Sequence, residues 1–174
     1  SLPPEVSSAA YVSRAVNSNS FSAGQQAQVN LIQNRGAYFL PSSFYVTFNI
    51  NVTADAANDN AILGIPACSV ISRLDTFANS TSIETVNNYN AVTNMLFNGK
   101  LGVSEKCGLS KPFGLQLTAG YGDLLTDSRT IVAGTGANII SCSAPICSVL
   151  SNSEKLVPAD SAEYRLYFTI EDIA

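Results

Sequence analysis

The stretch FYVTFNINVT, residues 44–53, alternates apolar and polar side chains with a period of two. Its apolar side holds Phe44, Val46, Phe48, Ile50 and Val52. Successive side chains of a β-strand point to opposite faces, so this pattern predicts a strand with one face in a core. The stretch YRLYFTIE, residues 164–171, repeats the pattern, and its apolar side holds Tyr164, Leu166, Phe168 and Ile170. We expect both apolar faces to lie in the same core.

Eight shorter runs are the remaining strand candidates, and turn-forming residues separate them. They are residues 9–16, 25–32, 37–40, 68–79, 82–86, 114–118, 129–132 and 138–142. Short strands in close succession, without a helical pattern after each one, favour an antiparallel sandwich over alternating β and α elements. A chain of 174 residues is the length of one domain. We therefore predict an all-β fold, an antiparallel eight-stranded jelly-roll sandwich that forms a single domain over residues 1–174.

Helical spacing occurs in one segment, residues 87–98. The apolar residues that recur there at intervals of three and four are Tyr89, Val92, Met95 and Leu96. Asn87 is placed to cap the start of this helix and Gly99 to end it. A further helical turn is expected over residues 145–150, because proline suits a first helical position. The sandwich should therefore carry one or two short helices.

Charged residues make up only 13% of the chain, against about a quarter in an average protein. The polar surface is therefore largely Ser, Thr and Asn, which lose less free energy than Lys or Glu when a contact desolvates them. The net charge is −4 and the pI is near 4.6. Because phosphate affinity depends on Lys and Arg, we expect no sequence-specific binding to nucleic acid.

The sequence offers little support for a catalytic site or a metal site, because the chain contains no histidine. Neither a Ser-His-Asp nor a Cys-His arrangement can form, and the commonest metal ligand is missing. The glycine-containing stretches GYGD and GTGAN lack the spacing of nucleotide-binding loops. The carboxylate pairs, Asp123 with Asp127 and Glu171 with Asp172, are better explained as solvated charges. We predict that the protein is not an enzyme, with no catalytic, cofactor-binding or metal-binding residues and no cofactor.

The four cysteines are Cys68, Cys107, Cys142 and Cys147. Their spacing does not match the C-x2-C pairs of structural zinc sites. We expect buried thiols, and disulfides remain the alternative.

Membrane insertion and secretion are not expected from this sequence. No run approaches the about 18 uninterrupted apolar residues of a membrane-spanning helix. The first residues, SLPPEVSSAA, lack the basic and apolar regions of a signal peptide. Ser1 fits both the removal of an initiator Met and the cleavage of a precursor.

Several stretches carry a family resemblance. They are NLIQNRGAYFLPSSFYVTFNINVT (residues 30–53), SRLDTFANSTSIETVNNYNAVTNML (residues 72–96), APICSVL (residues 144–150) and KLVPADSAEYRLYFTIEDI (residues 155–173). Together they resemble the vertical single jelly-roll capsid proteins of membrane-containing icosahedral viruses. In size and pattern the chain is most similar to the smaller of the two capsid proteins of thermophilic Thermus phages and related sphaerolipovirus-type viruses.

The resemblance implies a structural protein of the virion that self-assembles into an icosahedral shell over an internal lipid membrane. The partners it implies are further copies of the chain, as a homodimer or higher oligomer, a second capsid protein, and lipid head groups. Lys100, Lys106 and Lys111 could contact such head groups or an acidic partner, or could simply line a solvated loop.

A different function is also compatible with an all-β fold, namely a carbohydrate-binding or adhesive β-sandwich domain. In such a domain an exposed Tyr11, Tyr38, Tyr89 or Tyr121 would stack on the sugar.

The predicted strand at residues 9–16 has a single charged residue, Arg14, to protect it against pairing with another chain. Two arrangements are open for this strand. It either pairs with the sheet of a second subunit or lies beside the C-terminal strand of its own domain.

Overall fold

The structure is a computed structural model that describes residues 7–52, 60–63, 67–100, 102, 129–132, 138–151, 156–160 and 162–171. Ten β-strands and one α-helix lie in these residues. They are β1 Gln26–Asn30, β2 Tyr38–Phe39, β3 Tyr45–Val52, β4 Asn60–Leu63, β5 Ile71–Ala78, β6 Thr81–Asn87, α1 Tyr89–Lys100, β7 Arg129–Val132, β8 Asn138–Pro145, β9 Val157–Pro158 and β10 Tyr164–Ile170. Short 3-10 turns, Pro41–Ser43 and Ala67–Val70, precede β3 and β5. The all-β prediction is confirmed. Where we expected eight strands the described residues hold ten, two of which, β2 and β9, are only two residues long.

The strands pair in a nested order. β1 pairs with β10, β2 with β9, β3 with β8, β4 with β7, and β5 with β6, each antiparallel. The two halves of the chain therefore run beside each other like the arms of one long hairpin. A sixth pairing, β10 with β5, joins the outermost pair to the innermost one. The result is a four-stranded sheet in the order β1-β10-β5-β6.

The innermost turn helps to set that order. Asn79 links β5 to β6 with a positive φ of 55°, a conformation that asparagine tolerates better than most residues. Its backbone N–H donates to the carbonyl oxygen of Glu163 at 2.8 Å, and its side-chain oxygen accepts from the Glu163 N–H at 3.0 Å. These two bonds hold the hairpin turn against the residue that precedes β10.

The core lies between the four-stranded sheet and β3. The inward side chains of that sheet are buried, among them Leu74, Leu166 and Phe168. The side chains of β3 that pack against them are Phe44, which precedes the strand, Val46, Phe48 and Ile50. The prediction that the two alternating strands share one core is confirmed for these residues. Tyr164 is buried with them, Ile170 is half-buried, and the side chain of Val52 lies outside the described residues.

The helix is present, but its ends differ from the prediction. Asn87 is the last residue of β6, paired with Arg73, and does not cap the helix. Asn88, with a φ of 53°, makes the turn into α1, and the helix continues past Gly99 to Lys100. The face towards the protein contains Tyr89 and Thr93, whereas Val92 and Met95, which the spacing places on the apolar face, are exposed.

Two further predictions are wrong. Residues 145–150 form no helix, because Pro145 ends β8 and a turn follows at residues 148–151. The Ser148 hydroxyl accepts from the Leu150 N–H, and the Ser151 hydroxyl binds both backbone groups of Ser148, which stabilises this turn. Residues 9–16 form no strand; only Ala15 makes an isolated bridge, to Val29. The predicted strand at residues 114–118 lies outside the described residues.

Candidate interaction surfaces

The segment before β1, residues 7–17, forms an arm without regular secondary structure, and its last residues lie at the outer edge of β1. The Val16 N–H donates to the Gln28 carbonyl oxygen at 2.8 Å. The side-chain amide of Asn17 makes two hydrogen bonds that the backbone of a neighbouring strand would otherwise make. It accepts from the Gln28 N–H at 3.0 Å and donates to the Gln26 carbonyl oxygen at 2.6 Å. Three backbone groups on this edge are therefore satisfied by two residues of the arm.

The arm beyond this attachment is exposed. Tyr11 contacts the domain through a long hydrogen bond of 3.4 Å from the Asn34 amide, and the side chain of Val12 is 81% exposed. We expected the segment either on another subunit or beside the C-terminal strand of its own domain. The prediction that the segment lies beside the C-terminal strand is wrong, because β1 and β5 already flank β10 on its two sides. The arm lies at the outer edge of β1 instead.

The opposite edge of the sheet is β6, with the sequence TSIETVN. No other strand of the described residues pairs with its outer side. It contains no Lys, Arg or Pro, the residues that usually prevent edge strands from pairing with other chains, and Ile83 is exposed on it. The register shift between Thr76 and Phe77 places a bulge at Ile83 of this strand, and such a bulge limits pairing with another chain.

Glu84 of β6 fixes the turn that follows β8. One carboxylate oxygen, Oε2, accepts from the Ser148 hydroxyl at 2.9 Å, from the Val149 N–H at 2.9 Å and from the Thr76 hydroxyl at 3.3 Å. Thr76 and Ser148 are both buried. The two hydroxyls also lie 3.3 Å from each other, and these bonds together satisfy the buried polar groups, so this cluster stabilises the fold.

The outer face of the four-stranded sheet carries polar, charged and aromatic side chains. The register places Gln28, Tyr167, Asp75 and Thr85 in one row across β1, β10, β5 and β6. The guanidinium of Arg73 donates to both oxygens of Asp75, at 2.8 and 2.9 Å, and the Thr85 hydroxyl donates to Asp75 at 2.7 Å. Beside this row the rings of Phe77 and Tyr167 pack edge to face with centroids 5.1 Å apart.

Asp75 is buried on this face, and burial raises the pKa of its carboxyl. The hydrogen bonds from Arg73 and Thr85, together with the charge of Arg73, outweigh burial and hold the pKa below its ordinary value. Asp75 is therefore ionised at neutral pH as half of an ion pair whose other half, Arg73, is about half-exposed. This is a structural pair and not a proton-transfer site.

Cys142 and Cys147 are thiols and no disulfide joins them. Cys142 is buried, and partial burial raises the pKa of the Cys147 thiol, which lowers its reactivity at neutral pH. Cys107 and the side chain of Cys68 lie outside the described residues. In the part of the chain that the structure describes, no cluster of three His, Cys, Asp or Glu side chains is placed to bind a metal.

The tyrosines predicted for sugar stacking divide into two kinds. Tyr11 and Tyr38 are exposed, but Tyr89 is only 1% exposed and its hydroxyl accepts from the Cys147 N–H at 2.9 Å. Tyr89 is thus a core residue, and the prediction of an exposed ring is wrong there. Tyr121 lies outside the described residues.

Most of the lysines and carboxylates that the sequence analysis considered for binding or catalysis lie outside the described residues. Lys100 is the last residue of α1, and Lys106, Lys111, Asp123, Asp127 and Asp172 lie outside the described residues. Glu171 accepts from the Asn90 amide at 3.3 Å, which ties the end of β10 to the helix.

Two of the open depressions on the described surface lie beside its strands. One depression lies beside Asn30 and Glu163, and the other lies over the outer side of β3 and β8, at Thr47 and Ser141. Within the described residues, no helix has both the length and the apolar character needed to cross a bilayer.

Sequence reasoning missed the roles of Asn17 and Glu84. Each acts by hydrogen bonding to groups that the fold brings near, and no local pattern marks such a role. No protein-family model matches the chain, and no curated protein matches it.

Proposed function

We propose that this chain is a jelly-roll capsid subunit, a structural protein of a virion without enzymatic activity. The observation that carries the proposal is the nested strand pairing. A jelly roll is an antiparallel hairpin wound into a sandwich, so strands equally far from its two ends pair with each other.

The described strands follow this rule. In all five nested pairs the strand numbers are symmetric about the β5–β6 hairpin. Winding is supported by the β10–β5 pairing, which brings the outermost pair beside the innermost one. Eight of the ten described strands have four or more residues, and a jelly roll has eight strands.

Assembly is the mechanism that we propose. Each subunit would contact its neighbours through polar flanks with few charges to desolvate. Each contact would be weak, and the symmetry of a closed shell would combine many of them. By the resemblance of the sequence, the shell would include a second capsid protein and would surround a lipid membrane.

Light scattering over a wide range of protein concentration tests this function. A capsid subunit should pass from small species to ordered oligomers as the concentration rises, and addition of the second capsid protein should lower the concentration required. Failure to associate at any concentration, in the presence or absence of that partner, would contradict the proposal.

The second candidate is a carbohydrate-binding or adhesive sandwich, which the exposed rings of Tyr11, Tyr38 and Tyr45 favour. A glycan array separates the two functions. Specific binding by a monomer that is lost in Tyr38→Ala or Tyr45→Ala would favour this candidate over the capsid.

A further inference from the structure

The edge strand β1 lacks the features that usually keep a strand from pairing with another chain. Its sequence, QAQVN, contains no Pro and no charged residue. Its register with β10 is continuous from Gln26 to Asn30, so no bulge interrupts it. The opposite edge, β6, differs in this respect, because it has a bulge at Ile83. The β1 edge therefore needs another kind of protection.

The composition of β1 makes an uncovered edge hazardous. The core-facing residues of the strand alternate with Gln26, Gln28 and Asn30, which lie on the outer face. Stacked Gln and Asn side chains stabilise the pairing of identical strands, and segments that pair in this way are uncharged and lack Pro. Residues 25–31, QQAQVNL, have no charge, no Pro and no Gly. An uncovered β1 would therefore be open to pairing with the same strand of another molecule.

The last residues of the arm run beside this edge. Ala15 forms an antiparallel bridge with Val29, and the Val16 N–H donates to the Gln28 carbonyl oxygen at 2.8 Å. An added strand would use the same backbone groups of β1. The arm thus already occupies part of the surface on which another strand would pair.

The side chain of Asn17 extends this cover. The backbone turns immediately after it, where the Ser18 hydroxyl accepts from the Ser20 N–H at 3.2 Å. The Asn17 carboxamide accepts from the Gln28 N–H at 3.0 Å and donates to the Gln26 carbonyl oxygen at 2.6 Å. A carboxamide has the same C=O and N–H groups as a peptide bond. It therefore takes the place of a peptide group that an added strand would bring to this edge.

We propose that Asn17 is a built-in cover of the β1 edge: by binding the backbone groups of Gln26 and Gln28, its side chain prevents a strand of another chain from joining the sheet. This inference goes beyond the proposed function and does not depend on it, because it concerns a contact that the fold blocks.

The cover is separate from the core. The side chains of Asn17 and Gln26 are exposed, and Val16 is exposed as well. The hydrogen bonds between the arm and β1 therefore bury little apolar surface. Truncation of Asn17 should leave the fold intact and change only the state of the edge.

The test is hydrogen exchange of the Gln28 backbone amide, measured by NMR over a series of protein concentrations, in the parent protein and in Asn17→Ala. The parent amide should be protected equally at every concentration. In dilute Asn17→Ala it should exchange at least about tenfold faster, because its acceptor is lost. As the concentration of this variant rises the exchange should slow again, because a strand of another molecule then pairs with the open edge.

Two further variants separate this role from a general effect of substitution. Asn49→Ala is the matched control, because Asn49 is an exposed asparagine on a different strand, β3. It should match the parent protein at every concentration. Asn17→Asp keeps an oxygen acceptor for the Gln28 N–H and places a charge on the edge, so its Gln28 amide should also stay protected at every concentration.

Four results would overturn the proposal. Parental protection of the Gln28 amide in Asn17→Ala would mean that Asn17 does not cover the edge. Fast exchange that does not depend on concentration would mean that the uncovered edge accepts no strand. Exchange that slows with concentration in the parent protein would mean that strands join despite the cover. Loss of the cooperative thermal transition in Asn17→Ala would show that the carboxamide is needed for the fold itself.

Discussion

Replacement of Phe168 by Ala should destabilise the protein by about 3–5 kcal/mol, the usual result of truncating a buried aromatic residue. Phe168 is 5% exposed and lies on the inward face of β10, between Ala27 of β1 and Leu74 of β5. The cavity would open in the middle of the four-stranded sheet, where neighbouring strands limit relaxation. For a chain of this length the loss corresponds to a fall of roughly 6–20 °C in the thermal midpoint.

Phe48 provides an internal comparison, because it packs on the same core from β3 but is only half-buried. We expect Phe48→Ala to cost about half as much, roughly 2 kcal/mol. Urea unfolding followed by circular dichroism measures both changes, and Tyr11→Ala, on the exposed arm, should change stability by less than about 0.5 kcal/mol. If Phe168→Ala cost no more than Tyr11→Ala, the assignment of β10 to the centre of the core would be refuted.

Four more predictions concern other parts of the molecule. Glu84→Ala should lower the free energy of unfolding in urea by about 1–3 kcal/mol, because the Thr76 and Ser148 hydroxyls then have only each other as hydrogen-bond partners among these side chains and the Val149 N–H loses its acceptor. Glu84→Gln, which keeps an acceptor oxygen, should have a smaller effect. Since the folded pKa of Asp75 is below its ordinary value, its contribution to stability is complete above about pH 4 and is lost as pH falls through the folded pKa. Asp75→Asn should therefore lower stability at pH 7 and flatten the loss on acidification, and an unchanged acid profile would contradict the assignment. Removal of residues 1–16 should leave a folded domain with a cooperative thermal transition, since among the described residues of this segment only Ala15 and Val16 pair with the β1 edge. If the parent protein dimerises, a folded monomer after the deletion would indicate that the arm makes the contact between subunits. Unfolding would show that the arm belongs to its own core. Chelators should leave the thermal midpoint unchanged, and a drop of several degrees would reveal a metal site.

The strands that the sequence predicts best are those with one solvent-exposed face and one buried face. β3 and β10 alternate over seven or more residues, and a period of two leaves no other regular structure in which all their apolar side chains share a face. The helix was also predictable from its spacing, although its first residue was not, because Asn87 pairs with Arg73 in a contact between strands.

Other features depend on contacts that a local pattern does not contain. β9 has two residues, and its segment is apolar on both faces, so it shows no alternation to detect. Residues 9–16 alternate weakly and were predicted as a strand, but the Asn17 side chain takes two of the backbone groups with which such a strand would pair.

Electron microscopy of the concentrated protein tests most directly whether this chain is a shell subunit. The account predicts ordered sheets, rings or closed particles built from one repeating unit, alone or after addition of the second capsid protein. Dispersed monomers at every concentration, in the presence and absence of that partner, would contradict it.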